Sequence, residues 1–332
     1  MTSVLAPIYS ARDSAITQRP TSTAILAIDS EDRFTDYDDA RRVRGLNRSP
    51  YSFSITKSQS LMNGFFTRLG VTEVVFPWVI PNINQFTSQM NVEYDVGAGP
   101  QDDVIDLEIG FYTPSMLAAA IQTAVRNLDP GLANFQMTYG IQTIGLAYAV
   151  QRPIFEYGFT VPGPATIAFS PLSGTALYAD RRRKQLFDIL GFSAANEVLD
   201  NAEGGNDTYC QSTRYVDIVC TQLTANQALK DTMSQTVARD VLCRVYVGDA
   251  AGVQSTTLPS ASTFCPPGCM PTTIYKDFSQ PKQIQWIPNQ PVPGYLQFDV
   301  YDDAGNSLSD LVPGGALGNG ANWSMTLLVS EN

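Results

Sequence analysis

Apolar residues recur at every second position in run after run of this sequence, from near its start to near its end. Tyr51, Phe53 and Ile55 alternate with Ser52, Ser54 and Thr56. Ile167 and Phe169 follow the same rule, as do Val216, Ile218 and Cys220, then Val241, Cys243, Val245 and Val247. Ile284 with Trp286, Leu296 with Phe298 and Val300, and Trp323 with Met325, Leu327 and Val329 complete the series. A period of two sends successive side chains to opposite faces of an extended chain, so each run predicts a half-buried strand. Turn chemistry separates the runs: Asp302-Asp303-Ala304-Gly305-Asn306 reads as a hairpin-type turn and Pro313-Gly314-Gly315 as a loop.

Two helices stand out against this background. Thr113 is a good N-cap and Pro114 suits the first helical position; Leu117, Ile121, Ala124, Val125 and Leu128 follow at helical spacing until Asp129-Pro130-Gly131 stops them. A second, short helix is expected from Arg181 to Leu190, capped by Asp180 and ended by Gly191. Its first turn, Arg181-Arg182-Arg183-Lys184, opposes the helix dipole and reads chiefly as a solvated basic face.

The chain has 332 residues, enough for about two domains or one large all-β domain at about 150 residues each. Hydrophobic residues make up 44%, so a large core can be buried. Strands span the chain without a composition break, and no internal repeat is visible. One elaborated sandwich over 22–332 is therefore expected, preceded by an extended N-terminal arm over 1–21. The surplus length falls in a possible insertion within 97–210 and a long loop over 248–281 rich in Ser, Thr, Pro and Gly.

The function classes are narrowed by what is missing. The chain contains no histidine, which excludes Ser-His-Asp and Cys-His nucleophile systems and any histidine-ligated metal centre. Phosphate-binding glycine loops and a G-x-S-x-G elbow are absent. Carboxylates cluster at Asp29, Glu31 and Asp32, at Asp36, Asp38 and Asp39, at Asp102, Asp103 and Asp106, and at Asp302-Asp303. Each group lies in or beside a loop or turn, where aspartate is common for backbone reasons, and none has an EF-hand pattern. The net charge of −11 (21 basic against 32 acidic residues) and the scattered basic segments, Arg41-Arg42 with Arg44 and Arg48 and the Arg181–Lys184 run, argue against a broad nucleic-acid surface.

Five cysteines are too few, and odd in number, for a disulfide scaffold. Cys265-Pro-Pro-Gly-Cys269 is the one tempting metal cluster, but only Cys210 could join it from a loop, and structural zinc wants four ligands. Free or locally oxidised thiols are expected there, and no metal, cofactor or catalytic residue is assigned. The N-terminus carries no signal-peptide pattern, and residues 157–179, though uncharged, are broken by Pro162, Pro164 and Pro171, so no membrane-spanning helix is expected. Trp78, Trp286 and Trp323 lie in apolar runs and are expected in the core rather than on a sugar-binding platform.

An ordered set of motifs goes further. Ile28-Asp29-Ser30-Glu31-Asp32-Arg33 comes first, then the strand Tyr51–Ile55, then Val71-Thr-Glu-Val-Val-Phe-Pro-Trp-Val-Ile-Pro-Asn-Ile83 and Met90–Tyr94. Ile109-Gly-Phe-Tyr-Thr-Pro114 leads into the first helix, and Leu186-Phe-Asp-Ile-Leu-Gly-Phe192 closes the first half. Val219–Asn226, Gln280–Ile284 and Leu296–Gly305 follow. This series resembles the minor capsid, or penton, proteins of icosahedral double-stranded DNA viruses of the virophage, polinton-like and nucleocytoplasmic large DNA virus types. The resemblance covers about residues 24–330. It implies a single jelly-roll β-sandwich, not an enzyme, whose five copies close a five-fold vertex of a virion and touch neighbouring major-capsid capsomers. It leaves open another minor capsid or cement role in the same virion. A β-sandwich that binds carbohydrate or a receptor is the alternative from a different class. A double jelly-roll major capsid protein would need a longer chain and an internal duplication.

Overall fold

The computed structural model describes residues 23–33, 49–56, 59–61, 66–78, 80–144, 150–160, 165–172, 185–192, 197–198, 202–203, 213–225, 231–232, 238–246, 273–279, 281–287, 290–312 and 321–331. The 1–21 arm, Asp36, Asp38, Asp39, the Arg41–Arg48 and Arg181–Lys184 segments, Val247, Cys210, Cys265 and Cys269 lie outside these residues.

In chain order the strands begin with β1 (Thr23–Asp29), β2 (Ser52–Thr56) and β3 (Arg68–Pro77). There follow β4 (Gln89–Asp95), β5 (Gln101–Asp106), helix α1 (Pro114–Arg126), β6 (Phe135–Ile144), β7 (Val150–Phe159), β8 (Thr166–Ser170), the one-turn α2 (Leu186–Ile189), β9 (Glu197–Val198) and β10 (Ala202–Glu203). The last part holds β11 (Tyr215–Val219), α3 (Thr221–Thr224), β12 (Asp231–Thr232), β13 (Ala238–Arg239), β14 (Val241–Tyr246), β15 (Thr273–Asp277), β16 (Ile284–Gln285), β17 (Tyr295–Asp302), α4 (Leu308–Leu311) and β18 (Ser324–Ser330).

Two antiparallel four-strand paths form the sandwich: β1-β18-β3-β15, with β16 also on β3, and β14-β11-β17-β2. The chain changes sheet at β1 to β2, β2 to β3, β3 to β11, β14 to β15, β15 to β17 and β17 to β18, which is the winding of a single jelly roll. The alternation explains the packing. Tyr51, Phe53, Ile55, Leu296, Phe298 and Val300 point inward from one sheet, and Trp323, Met325, Leu327 and Val329 from the other; all are buried in one cluster. Trp323 is the hub, with its ring 5.8 Å from Phe53, 6.1 Å from Phe298 and 6.4 Å from Phe76. Trp286 is buried against Phe66, while Trp78 is half-buried at the margin of the same cluster.

Between β3 and β11 the chain builds a second hydrophobic cluster, from Ile83 to Phe192, that shares no buried residue with the first. Its sheets run β5-β4-β8-β9 and β10-β7-β6. Helix α1 starts as its sequence dictates: the Thr113 hydroxyl accepts the Met116 amide at 3.2 Å, with Pro114 in the first turn. Leu117, Ala118, Ile121 and Val125 make its buried stripe. The helix also occupies the edge of β6, since Gln122 Oε1 accepts the Met137 amide (3.0 Å) and Arg126 Nε donates to the Phe135 carbonyl (2.8 Å). Exposed strand edges recruit partners, and these two bonds cover the first three residues of this one.

Three local features differ from the sequence expectation. Helix α2 begins at Leu186, because Gln185 is extended (φ −103°, ψ 169°) and its side chain is held by both backbone groups of Leu172. Asp188 therefore supplies the capping contact, accepting the Gln185 amide at 2.9 Å; Asp180 lies outside the described residues. Thr273–Asp277, within the stretch read as irregular, is strand β15, with Ile274 buried against β3. It was hidden by its shortness and by the proline-rich flanks. One-turn helices α3 and α4 also occur, each too short to show a 3.6-residue period.

Candidate interaction surface

Strand polarity gathers four connections of the sandwich, the two longest among them, at one end. The C-terminus of β1, the N-terminus of β2, the C-terminus of β3, the N-terminus of β11, the C-terminus of β14 and the N-termini of β15 and β18 all lie there. The segments 34–48, 78–214, 247–272 and 303–323 therefore all leave from and return to this end. Long loops on a rigid sandwich are where binding and assembly contacts concentrate.

Three of the motifs of the sequence analysis are backbone joints, one at this end and two within the segment between β3 and β11. In Asp29–Arg33 the chain turns through a 3-10 helix, with Asp29 accepting the Glu31 amide at 2.7 Å. Ser30 is fully buried: its amide donates to the Trp323 carbonyl, and its hydroxyl accepts the Trp323 amide, both at 2.9 Å. Arg33, also buried, donates from Nη1 to the Ser30 carbonyl and to Asn322 Oδ1, each at 2.6 Å. Trp323 Nε1 then donates to the Pro50 carbonyl at 2.7 Å, tying the two sheets together. Burial pushes the nearby Tyr51 hydroxyl up to about 12.

A second clasp closes the root of the intervening segment. Asn82 reads the backbone of Tyr112 with both ends of its amide: Nδ2 donates to the carbonyl (2.7 Å) and Oδ1 accepts the amide (2.9 Å). Ile83 and Gly110 exchange two backbone bonds beside it. The Pro-Asn and Gly-Phe-Tyr-Thr-Pro motifs, 30 residues apart, are thus one structure. The Leu-Gly-Phe motif ends α2: Gly191 takes φ 75°, a left-handed value that favours glycine. Its amide bonds Asp188, and Phe192 bonds Phe187, so the last helical carbonyls are satisfied. The Phe192 ring then stacks on Phe169 at 5.5 Å.

Sequence reasoning missed a charged and aromatic cluster on the flank of β11 and β14. Asp217 has no exposed side chain and is gripped by Arg244 through two bonds, Nε at 2.7 Å and Nη2 at 3.1 Å. That fork raises the already high basicity of the guanidinium, which lies 4.0 Å from the centre of the Tyr215 ring. Tyr215 meets the exposed Tyr246 edge-on at 5.5 Å. Arg214 bonds Asp303 at 2.7 Å. Asp217 and Arg244 stand directly opposite across two strands, a register that no sequence pattern discloses.

The acidic groups have structural work. Asp302 accepts the Asn306 amide (2.6 Å) and side-chain Nδ2 (2.8 Å), closing the turn that Gly305 enters at φ 92°. Burial outweighs these bonds and raises its carboxyl to about 6. Asp103 accepts from the Tyr94 hydroxyl at 2.9 Å, and Asp102 and Asp106 line the exposed β5 edge. No group of three or more metal-ligating side chains converges among the described residues. Cys220 and Cys243 are buried free thiols, each pushed up to about 12 by desolvation. Among the described residues no helix is long and apolar enough to cross a membrane.

No family model matches the chain. No curated protein matches it either. Among solved structures, it is similar to the crystal structure of the selenomethionine-labelled mavirus penton protein, at 12% identity over 94% of this chain and 99% of that chain, with a TM-score of 0.45.

Proposed function

We propose that the chain is a structural protein of a viral capsid, most specifically the penton: a single jelly roll whose five copies close a five-fold vertex and meet the surrounding capsomers. The observation that carries this reading is the strand order of a single jelly roll, with the first resemblance motif knotted at its loop-rich end. The Asp29–Arg33 knot, the Asn82–Tyr112 clasp and the Leu190–Phe192 turn each fix backbone rather than present reactive groups. Such joints suit a subunit whose task is to hold loops in place against neighbours. In this reading the jelly roll spans 22–332, and the segment with its own core, Ile83 to Phe192, is an inserted unit. The net charge of −11 keeps free subunits apart and makes assembly sensitive to salt.

The test is the symmetry of the assembled protein. Native mass spectrometry of the purified chain, or cryo-microscopy of the particle, is expected to give pentamers. Trimers of pseudo-hexagonal outline would assign the chain to the capsid faces, and a monomer absent from purified particles would refute a capsid role.

A further inference from the structure

The proposal deepens the penton reading and rests on it. It begins at β1, an outer strand of its sheet. From Thr23 to Ile28 the strand carries no charge and no proline, and Ile25 is 68% exposed, directly opposite the exposed Leu328. Among the described residues no backbone bond reaches the outer edge of this strand. Edges of this kind are normally blunted. Here β5 carries Asp102, Asp103 and Asp106, all exposed, and the start of the β6 edge is covered by α1 side chains. A long neutral edge that no described residue pairs with, on a chain of net charge −11, is one that a like-charged copy can approach.

The opposite outer strand of the same sheet is β15. Tyr275, 63% exposed, stands on the same outward face as Ile25, because its partner Val75 pairs with the outward Ser324. Every step of the path β1-β18-β3-β15 is antiparallel, so β1 and β15 run in opposite directions. A copy rotated about an axis along the strands therefore sets its β15 antiparallel to the β1 of its neighbour, and repetition of that step closes a ring. A two-fold axis would instead pair β1 with β1 and stop at a dimer.

The flanks differ in charge as well. The 3-10 helix after β1 packs on β2, and Trp323 bonds Pro50, so β1 and β2 share one flank, which shows Asp29, Glu31 and Asp32 at the loop-rich end. Lys282 donates to the Val241 carbonyl, so β14 and β15 share the other flank. There Arg244 on β14 keeps its aspartate partner, but the guanidinium is the outward member, 30% exposed against 0% for Asp217. Lys276 lies on β15 beside the exposed Asp277, and Lys282 lies just beyond the strand.

We propose that a second copy docks on the open β1 edge through its β15 edge, extending the sheet head-to-tail from subunit to subunit, with Ile25 against Tyr275 and the acidic β1 flank against the arginine-bearing flank. The test uses the full chain and native mass spectrometry, with thermal melting as a control on folding. Ile25→Glu and Tyr275→Lys are both expected to leave the monomer melt unchanged, since both side chains are exposed and a lysine at 275 faces Glu73, the present partner of the Tyr275 hydroxyl. Each single variant should lose the ring species, and the double variant should recover it through the new ion pair. Wild-type pentamers with Ile25→Glu still pentameric would overturn the edge contact and leave the penton reading standing. A double variant no better than the singles would overturn the β1–β15 pairing. Dimers formed on mixing Ile25→Glu with Ile25→Lys would overturn it in favour of the two-fold arrangement. Wild-type protein that forms no ring, alone or in particles, would remove the penton reading and this inference together.

Discussion

Replacing Arg244 by alanine tests the most heavily desolvated charge pair described in the molecule. The Asp217 side chain has no exposure, and both its oxygens are bound by the one guanidinium, at 2.7 and 3.1 Å. Arg244→Ala strands that carboxylate between β14 and β17. Breaking a buried pair on one side costs about 3–5 kcal/mol, most of it the penalty of the abandoned charge. Arg244 is itself 30% exposed, so water can reach the vacated position and the lower end, about 3 kcal/mol, is expected. Loss of the guanidinium from the Tyr215 face, 4.0 Å away, adds about 0.5–1 kcal/mol. Urea unfolding followed by tyrosine and tryptophan fluorescence measures the sum. Asp217→Asn in the Arg244→Ala background should restore about half of the loss, because it removes the charge and keeps the volume. Arg244→Lys should recover little, since a point charge cannot make the two-pronged contact. A loss below about 1 kcal/mol for Arg244→Ala would refute this account of the pair.

Three further outcomes are expected. Asp302 has its carboxyl raised from 3.8 to about 6 by burial, so its contribution favours the fold below the unfolded value and fades as pH rises through 6. That difference is on the order of 3 kcal/mol, and Asp302→Asn should flatten the corresponding slope in melts taken from pH 4 to 7. Gly191→Ala forces an alanine to φ 75° and should cost about 1 kcal/mol in chemical unfolding. The Tyr157 hydroxyl is buried without a hydrogen-bond partner among the described residues, so Tyr157→Phe should be neutral or stabilising by up to about 1 kcal/mol; a clear destabilisation would reveal a partner for that hydroxyl.

Much of the sandwich could be read from residues alone. Inward positions such as Phe53, Phe298, Trp323 and Leu327 were identifiable because a strand sends alternate side chains to opposite faces whatever it pairs with. The start of α1 was equally plain, since Thr113 and Pro114 act on the first helical turn and on nothing distant. The second hydrophobic cluster was not legible. Ile167 and Phe169 alternate just as Phe53 and Ile55 do, and a period of two does not say which of two cores receives the buried face.

The candidate surface divides in the same way. Its motifs were visible as a series, but their physical sense appeared only when Asn82 met Tyr112 and Ser30 met Trp323, contacts spanning 30 and 293 residues of chain. Asp217 and Arg244 were two ordinary charges in two strand-like runs until the register of β11 on β14 set them opposite each other. Sequence by itself determined which residues are extended, which side of each strand is apolar, where the first helix begins, and that no histidine chemistry is present. Tertiary structure decided the order of strands in each sheet, and with it the gathering of the two longest connections at one end and the β1 edge that no described residue pairs with. The reason is the range of the forces: alternation and capping act within a few residues, whereas strand order and register are chosen by burial of apolar surface across the whole chain.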